Sequence, residues 1–572
     1  MEFIKAVPTA LATQLTYAQA IDMQRAKKHF VAAHPEYRDP ALDSMRKREF
    51  GRLRKQDAIY LDYTGGCLYP RSLVDKHTKW LNDTVAGNPH STSPASLASS
   101  AATEQARLDL LRFFDADPEV YDVVWTNNAS AGFRIVGDAY NWTNKTAIIP
   151  RDAHNSLNSL ALQAKHRGGK FEFVELVTDP LLPEIDGTLD TQQMIELLDQ
   201  GAADQSESLS SALSSPGMVF FTGQSNITGQ KLDYSLIHHA ASKGWDIGLD
   251  AAALAPTTRI SLSRGLADKV DYMVVSLYKI MGWPTGVGAL ILKKSLYPSL
   301  SGKHTFFGGN IVGITMDTFD FTLVNGPERF EDGTINYAAL KAVSLGLEFV
   351  ERWMPSYAHR IQILTAWLVD ELQKIHYPAR SADGFASHKS ASSDAEKGGR
   401  ADVFDLQRLV YVGGSSDLTK RGSTLPLVFK SACGASLNYR FVIWAAGREN
   451  ISLRGGPCMC NPGASSNVMR RAEITDLDLS TKIALADVGI VRVSLGVATH
   501  FGDVHRFLRF CSKLTDLTGY VESAFAEYKR IHPAAELAWN IDQLEQQHLR
   551  LKAANLHTAL HPHIFEKGRD NC

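Results

Sequence analysis

The chain has 572 residues, 44% hydrophobic and 21% charged, with a formal net charge of −2. That length supports a large core in two lobes, and the near-neutral charge without a long basic stripe argues against nucleic acid as a partner. No apolar run reaches the roughly 20 residues needed to cross a bilayer, so no membrane partner is expected.

Residues 1–55 read as a charged, amphipathic helical extension rather than a secretory signal, because no charged start and cleavage site frame the apolar patch. The six cysteines, Cys67, Cys433, Cys458, Cys460, Cys511 and Cys572, are too scattered for a disulfide framework and point to a reducing, cytoplasmic setting. "AIYLDYTGG" gives a short strand and turn, and residues 97–114 have helical spacing. The apolar runs "DVVWTN", "TAIIPR", "KFEFVEL", "GMVFFTG", "WDIGLD", "DYMVVS" and "VGALIL" then alternate with helical stretches. This alternation predicts an α/β fold with a mostly parallel, seven-stranded sheet in a large domain over residues 56–335.

Residues 338–375 read as two helices, opening a smaller α+β domain over 336–530, with a helical tail over 531–572. Two Ser/Ala/Gly/Asp-rich stretches, 200–217 and 380–402, are expected to be mobile surface insertions.

Sites in open α/β sheets lie beyond the carboxyl ends of the strands. Those ends carry Asn127, Asn128 and Ser130; His154; Gln224 and Asn226; Asp250; and Lys279. A lysine held at a strand end, with a carboxylate on a neighbouring strand, suits pyridoxal phosphate (PLP), which needs a Schiff-base lysine and a partner for its pyridinium. By themselves these two residues are equally compatible with a solvated turn lysine and a helix-capping aspartate. The hydroxyls of Ser130, Ser276 and Tyr278, and a helix start at "NNASAG", add phosphate-binding capacity. His154 could stack on a ring, although a histidine in that position is more often an ordinary loop residue.

The stretches "EFGRLRKQDAIYLDYTGG", "AGNPHS", "WTNNASAGFRIVGDAY", "QSNITG", "LDAAA", "SLYKIMGWPTGVGAL", "FEDGTINYAAL", "LRGGPCMCNPGA" and "VRVSLG" run in order from about residue 48 to 510. In these the chain resembles class V PLP-dependent enzymes of fold-type I, and within them the aminotransferase-like domain of molybdenum cofactor sulfurases. The resemblance implies that Lys279 binds PLP covalently, Asp250 pairs with the pyridinium, His154 stacks on the ring and Asn226 bonds the ring hydroxyl. It assigns the phosphate to Ala129, Ser130, Ser276 and Tyr278, with Thr334 reaching the site of the other subunit in a homodimer. It assigns the substrate carboxylate to Arg492, a task suited to a planar fork of donors, and brings Asn226 and His90 to the substrate.

Within "GGPCMCNPGASS", a C-x-C pair is incomplete for zinc, and no metal is expected. The pair could be buried, but the flanking glycines and prolines suggest an exposed loop. The resemblance favours Cys460 over Cys458 as a persulfide carrier, and Arg454 is the nearest candidate in sequence to activate the thiol. The implied function is a desulfurase or sulfurase that takes sulfur from L-cysteine, releases alanine and passes the sulfur to an unknown acceptor. An aminotransferase, epimerase or C–S lyase is the alternative. Three departures from the family pattern bear on this: Tyr63 stands where a histidine is usual, the cysteine loop is one residue longer, and Ser465 replaces a cysteine. The residues after about 510 are also too few for the second, cofactor-binding domain of such sulfurases.

Overall fold

The structure is a computed structural model that describes residues 17–177, 187–206, 215–265, 268–302, 306–318, 320–378, 408–431, 437–456, 459–461 and 489–532. The expected insertion at 380–402, residues 207–214 of the other, the tail beyond 532, and Cys433, Cys458 and Cys572 lie outside the described residues; residues 200–206, expected to belong to a mobile insertion, instead end the helix Thr191–Ser206.

All seven apolar runs become strands of one sheet: β2 (Tyr121–Thr126), β3 (Thr146–Pro150), β4 (Lys170–Val174), β5 (Gly217–Thr222), β6 (Asp246–Asp250), β7 (Tyr272–Ser276) and β8 (Gly288–Lys293). Their order is β2-β8-β7-β6-β5-β3-β4. Only β8 runs antiparallel to its neighbours. β5 and β7 are buried almost throughout, as expected for central strands covered on both faces. The carboxyl ends of β2, β3, β5, β6 and β7 therefore share one rim. Gly288 starts β8 beside this rim, where a Cβ would fall 2.6 Å from the Asn128 backbone; only a bare backbone passes there.

Three helices start at the rim: α1 (Ala129–Ala139), α2 (Asn155–His166) and the short α3 (Leu277–Met281). Asn128 caps α1 by accepting from the Ala131 amide at 3.0 Å. α3 closes on Gly282 at φ 77°, a left-handed stop that glycine supplies without strain. Lys279 thus sits inside a helical turn between the end of β7 and the glycine-rich turn.

The expected pair of helices over 338–375 is one helix, α4 (Tyr337–Gln373), with Pro355 inside it. Pro355 is exposed while Met354, Tyr357, Ile361 and Leu364 are buried, so packing on both sides of the lost hydrogen bond carries the helix through.

In the second lobe, β9 (Val410–Val412), β10 (Thr424–Phe429), β12 (Arg454–Gly456) and β13 (Ile490–Ser494) form an antiparallel sheet in the order β9-β10-β13-β12. The early strand β1 (Ile59–Tyr60) pairs in parallel with β11 (Ile451–Ser452), and Asp62 bridges to Ser494. The stretch around Asp62 is thereby woven into the later lobe.

Candidate active site

A cavity of about 200 Å³ opens at the rim, bordered by Ser130, His154, Asn226, Asp250, Ser276, Tyr278 and Lys279, with Asn128, Ala129, Ser156, Thr222 and Gln224 among the remaining walls. The rim residues read from the strand ends are therefore brought together, apart from Asn127.

Lys279 reaches in from α3 and Asp250 from the last position of β6, where its carboxylate also accepts from the Ala252 amide at 2.9 Å. Burial pushes the Lys279 ammonium below the ordinary lysine range. Asp250 opposes this shift, Arg492 and Arg454 reinforce it, and Cys460 opposes it. A lysine so placed reaches its nucleophilic neutral form more readily than a solvated one.

His154 is the N-cap of α2, and its Nδ1 accepts from the Ser156 amide at 3.2 Å. That bond leaves the ring proton on Nε2. Burial lowers the pKa of His154, with Asp250 raising it and Lys279 lowering it, so the ring is an uncharged platform at neutral pH.

At the other end of the cavity, the Ser276 hydroxyl accepts from the Ala129 amide at 2.9 Å. The Ser130 hydroxyl lies 2.5 Å from that of Ser156, and both stand at helix starts. Helix N-termini and clustered hydroxyls form a natural anion cradle. Burial raises the pKa of the Tyr278 hydroxyl, which stays protonated.

Asn226 organises the cysteine loop. Its Nδ2 donates to the Met459 carbonyl at 3.2 Å, and its Oδ1 accepts from Asn461 at 2.8 Å. Asn461 also donates to the Asp152 carbonyl at 2.5 Å, and the Asn155 amide donates to the Cys460 carbonyl at 2.8 Å. Cys460 itself is exposed, with a left-handed backbone at φ 63°. The described part of the loop is thus pinned by its backbone beside His154 while the thiol stays accessible.

Arg492 is 3% exposed; its fork donates to the Asn226 carbonyl at 2.9 Å and to Asp62 at 3.1 Å. Arg454 directs its guanidinium to the same carboxylate, at 2.8 to 3.1 Å. Tyr63 is buried, and its hydroxyl has no partner among the described residues. It borders a small void next to Lys279.

Thr334 and His90 are not part of the Lys279 cavity. Asn88 links them: its Nδ2 lies 3.5 Å from the Thr334 hydroxyl, and its Oδ1 accepts from the His90 amide at 3.0 Å. The side chain of their neighbour Glu331 is buried, bonded to Arg107 at 2.9 Å and to the Trp125 amide at 2.6 Å. In "FEDGT" the glutamate is thus a structural anchor that sets the exposed threonine in place. The sequence reading missed Asp62, Thr222 and Ser156 as site residues. The strand-end rule could have found Thr222, and its proximity to His154 could have suggested Ser156.

A family model for aminotransferase class-V matches residues 59–384, more than half of the chain. The chain belongs to the aminotransferase class-V family. By that family it is a PLP-dependent enzyme. Molybdenum cofactor sulfurase of Solanum lycopersicum is 29% identical over 501 residues, covering 82% of this chain and 56% of that protein. The Bos taurus molybdenum cofactor sulfurase is 27% identical over 506 residues, covering 82% of this chain and 51% of that protein. The chain therefore spans about half the length of these curated relatives. In fold it resembles the cysteine desulfurase of Thermococcus onnurineus, with a TM-score of 0.62 at 20% identity over 84% of this chain and 98% of that one. The Escherichia coli cysteine desulfurase CsdA gives 0.59 at 18% identity over 84% and 100% of the two chains.

The residues present fit PLP. Thr222 Oγ1 and Gln224 Oε1 are buried in the cavity wall without partners among the described residues, which leaves polar atoms for a polar occupant. An amine, a carboxylate, an uncharged imidazole and a hydroxyl-lined helix start match the aldehyde, ring nitrogen, ring face and phosphate of that cofactor.

Proposed function

We propose that this class-V enzyme is a cysteine desulfurase or sulfurase that moves sulfur from L-cysteine to Cys460 and releases alanine. The observation that carries this reading is the pinning of the Cys460 backbone beside His154 while its thiol stays exposed. Bound PLP supplies an electron sink for charge that develops at the substrate α-carbon.

The chain's own residues divide the remaining work. Lys279 would hold the cofactor covalently, and its amine, of lowered pKa, is placed to accept the substrate α-proton. Asp250 keeps the ring nitrogen protonated, while His154 and Asn226 hold the ring. Ala129, Ser130, Ser276 and Tyr278 hold the phosphate. Arg492 takes the substrate carboxylate, with Asp62 fixing its fork. The Cys460 thiolate then attacks the substrate sulfur: an S–S bond forms, the carbon–sulfur bond breaks, and its electron pair returns to the β-carbon, which takes up a proton. Cysteine and a protein thiol become alanine and a protein persulfide, with no external oxidant.

Thr334 and His90 are proposed to serve the partner's site in a homodimer, since they lie outside the lining of their own chain's Lys279 cavity. The test is incubation of the purified protein with L-cysteine, followed by an alanine assay and mass spectrometry of the peptide containing Cys460. Alanine formed in step with one added sulfur on that peptide supports the reading. Keto acid or free sulfide without persulfide would move it to an aminotransferase or C–S lyase.

A further inference from the structure

Met459 and Cys460 both hold left-handed backbone, at φ 41° and φ 63°. Residues with a side chain seldom enter this region, and a successive pair stays there only where the surroundings hold it. Their carbonyls show where the hold comes from. That of Cys460 accepts the Asn155 amide, an orphan donor in the first turn of α2, at 2.8 Å. That of Met459 accepts from Nδ2 of Asn226 at 3.2 Å.

Asn461, the next residue, is fully buried. Its Nδ2 donates to Oδ1 of Asn226 at 2.8 Å and to the Asp152 carbonyl at 2.5 Å. Its Oδ1 has no partner among the described residues. The side chain of Asn461 is therefore engaged through its donors alone, and it does not line the Lys279 cavity.

The order of atoms in both side-chain amides follows from the ends of this chain of bonds. Backbone carbonyls only accept, so Asp152 must face the nitrogen of Asn461, and Met459 that of Asn226. The middle bond can then run only from Asn461 to the oxygen of Asn226. Asn226 in turn accepts from Arg492 through its own carbonyl at 2.9 Å and borders the Lys279 cavity. One buried amide thus ties the loops after β3 and β5 to the backbone that carries the thiol.

We infer that Asn461 is a positioning residue for sulfur transfer: it holds the left-handed Met459–Cys460 backbone against Asn226 and Asp152, so that the Cys460 thiol is presented to the substrate sulfur. This inference rests on the role proposed above for Cys460. Without the donors of Asn461, Asn226 is free to turn, the Met459 carbonyl loses its fixed partner, and both residues relax to ordinary backbone. The thiol then stays accessible but leaves its reactive placement, and a displacement of about 1 Å can cost about a hundredfold in rate.

The test compares full-length, cofactor-loaded wild type with Asn461→Asp and Asn461→Ala at pH 8. The first variant keeps the size and turns donors into acceptors; the second removes the donors without adding charge. Mass spectrometry times persulfide formation on the Cys460 peptide over one turnover, cofactor absorbance reads cysteine affinity, and iodoacetamide reads thiol access. Persulfide formation is expected to slow at least about tenfold in both variants, with cysteine affinity within about threefold of wild type and Cys460 still alkylated. A role in stability alone would instead lower melting temperature and cofactor content and leave the rate per loaded chain unchanged. Wild-type persulfide rates in a folded, loaded variant, or a loss of cysteine affinity as large as the loss of rate, would overturn the inference while the proposed function stands. A wild-type protein that forms no persulfide on Cys460 would overturn both. If neither variant folds, a crystal structure of the loaded wild type decides: Asn461 bonded to Asn226 and Asp152, with Met459 and Cys460 at positive φ, supports the inference, and a loop without those bonds sinks it.

Discussion

Asp62 accepts from Arg492 at 3.1 Å while both of its oxygens accept from Arg454 at 2.8 to 3.1 Å, joining residues 430 and 392 positions apart in sequence. One carboxylate thus aligns two cations beside the cavity. Asp62→Asn is expected to raise the KM for cysteine about tenfold with a smaller change in kcat, because the fork of Arg492 loses its alignment. The melting temperature should also fall, since two closely placed guanidinium groups would lose their shared counter-charge. Substrate titration and thermal unfolding check this, and wild-type values in both would remove Asp62 from the site.

Lys279 should be the residue that carries the cofactor. Borohydride reduction and peptide mapping are expected to place the pyridoxyl group on Lys279, and Lys279→Ala should fold without it. The pH profile adds a signed test. Asp250 raises the Lys279 pKa against the lowering by burial and by the two arginines. Asp250→Asn should therefore shift the midpoint of covalent cofactor uptake to lower pH, while turnover falls sharply through loss of the ring partner. A shift to higher pH would contradict the assignment.

Cys460→Ser should retain the cofactor and bind cysteine yet form no persulfide, with alanine production falling by at least about a hundredfold, the scale of losing a nucleophile. Stopped alanine formation with an unchanged cofactor spectrum is the expected pair of readings. Normal alanine production would show that the sulfur leaves by another route.

Asp152 offers a stability test near the same loop. Burial pushes its carboxyl up to about 6. The fold therefore holds this proton more tightly than the unfolded chain does. Stability is lost as pH rises from about 4 to 6, and the full penalty persists above that window. Asp152→Asn removes the titrating charge while keeping the shape, and should stabilise the protein by on the order of 2–3 kcal/mol at pH 8 and by less at pH 5. Melting curves at the two pH values give the answer; an equal gain at both would assign it to packing instead.

Much of the large lobe was legible because its strands are apolar runs of near-uniform length, and the strand-end rule then led to Asp250, His154 and Lys279. The two-helix reading of residues 338–375 failed because the buried residues on either side of Pro355 carry one helix through it. Asp62 escaped notice for a different reason. Its partners are hundreds of residues away, and an aspartate before a tight turn has an ordinary local explanation as a turn residue. Arg492 sits in a buried strand, where no local pattern distinguishes a functional arginine; only the family resemblance singled it out. The loop's glycines and prolines suggested an exposed C-x-C pair, and the family resemblance alone chose Cys460 within it; the tie from its carbonyl to Asn155 depends on a long-range contact that no spacing reports.

The pairing of β1 with β11 also orders events during biogenesis. Asp62 leaves the ribosome early, but the strand carrying Arg492 emerges only after more than four hundred further residues. Contacts of such separation form late, because loop closure must precede the interactions that repay it. The nascent chain can complete the large sheet, with Lys279 and Asp250 in place, well before Asp62 meets Arg492. Under the proposed roles, the residues that would hold the cofactor are assembled before the arginine that would take the substrate.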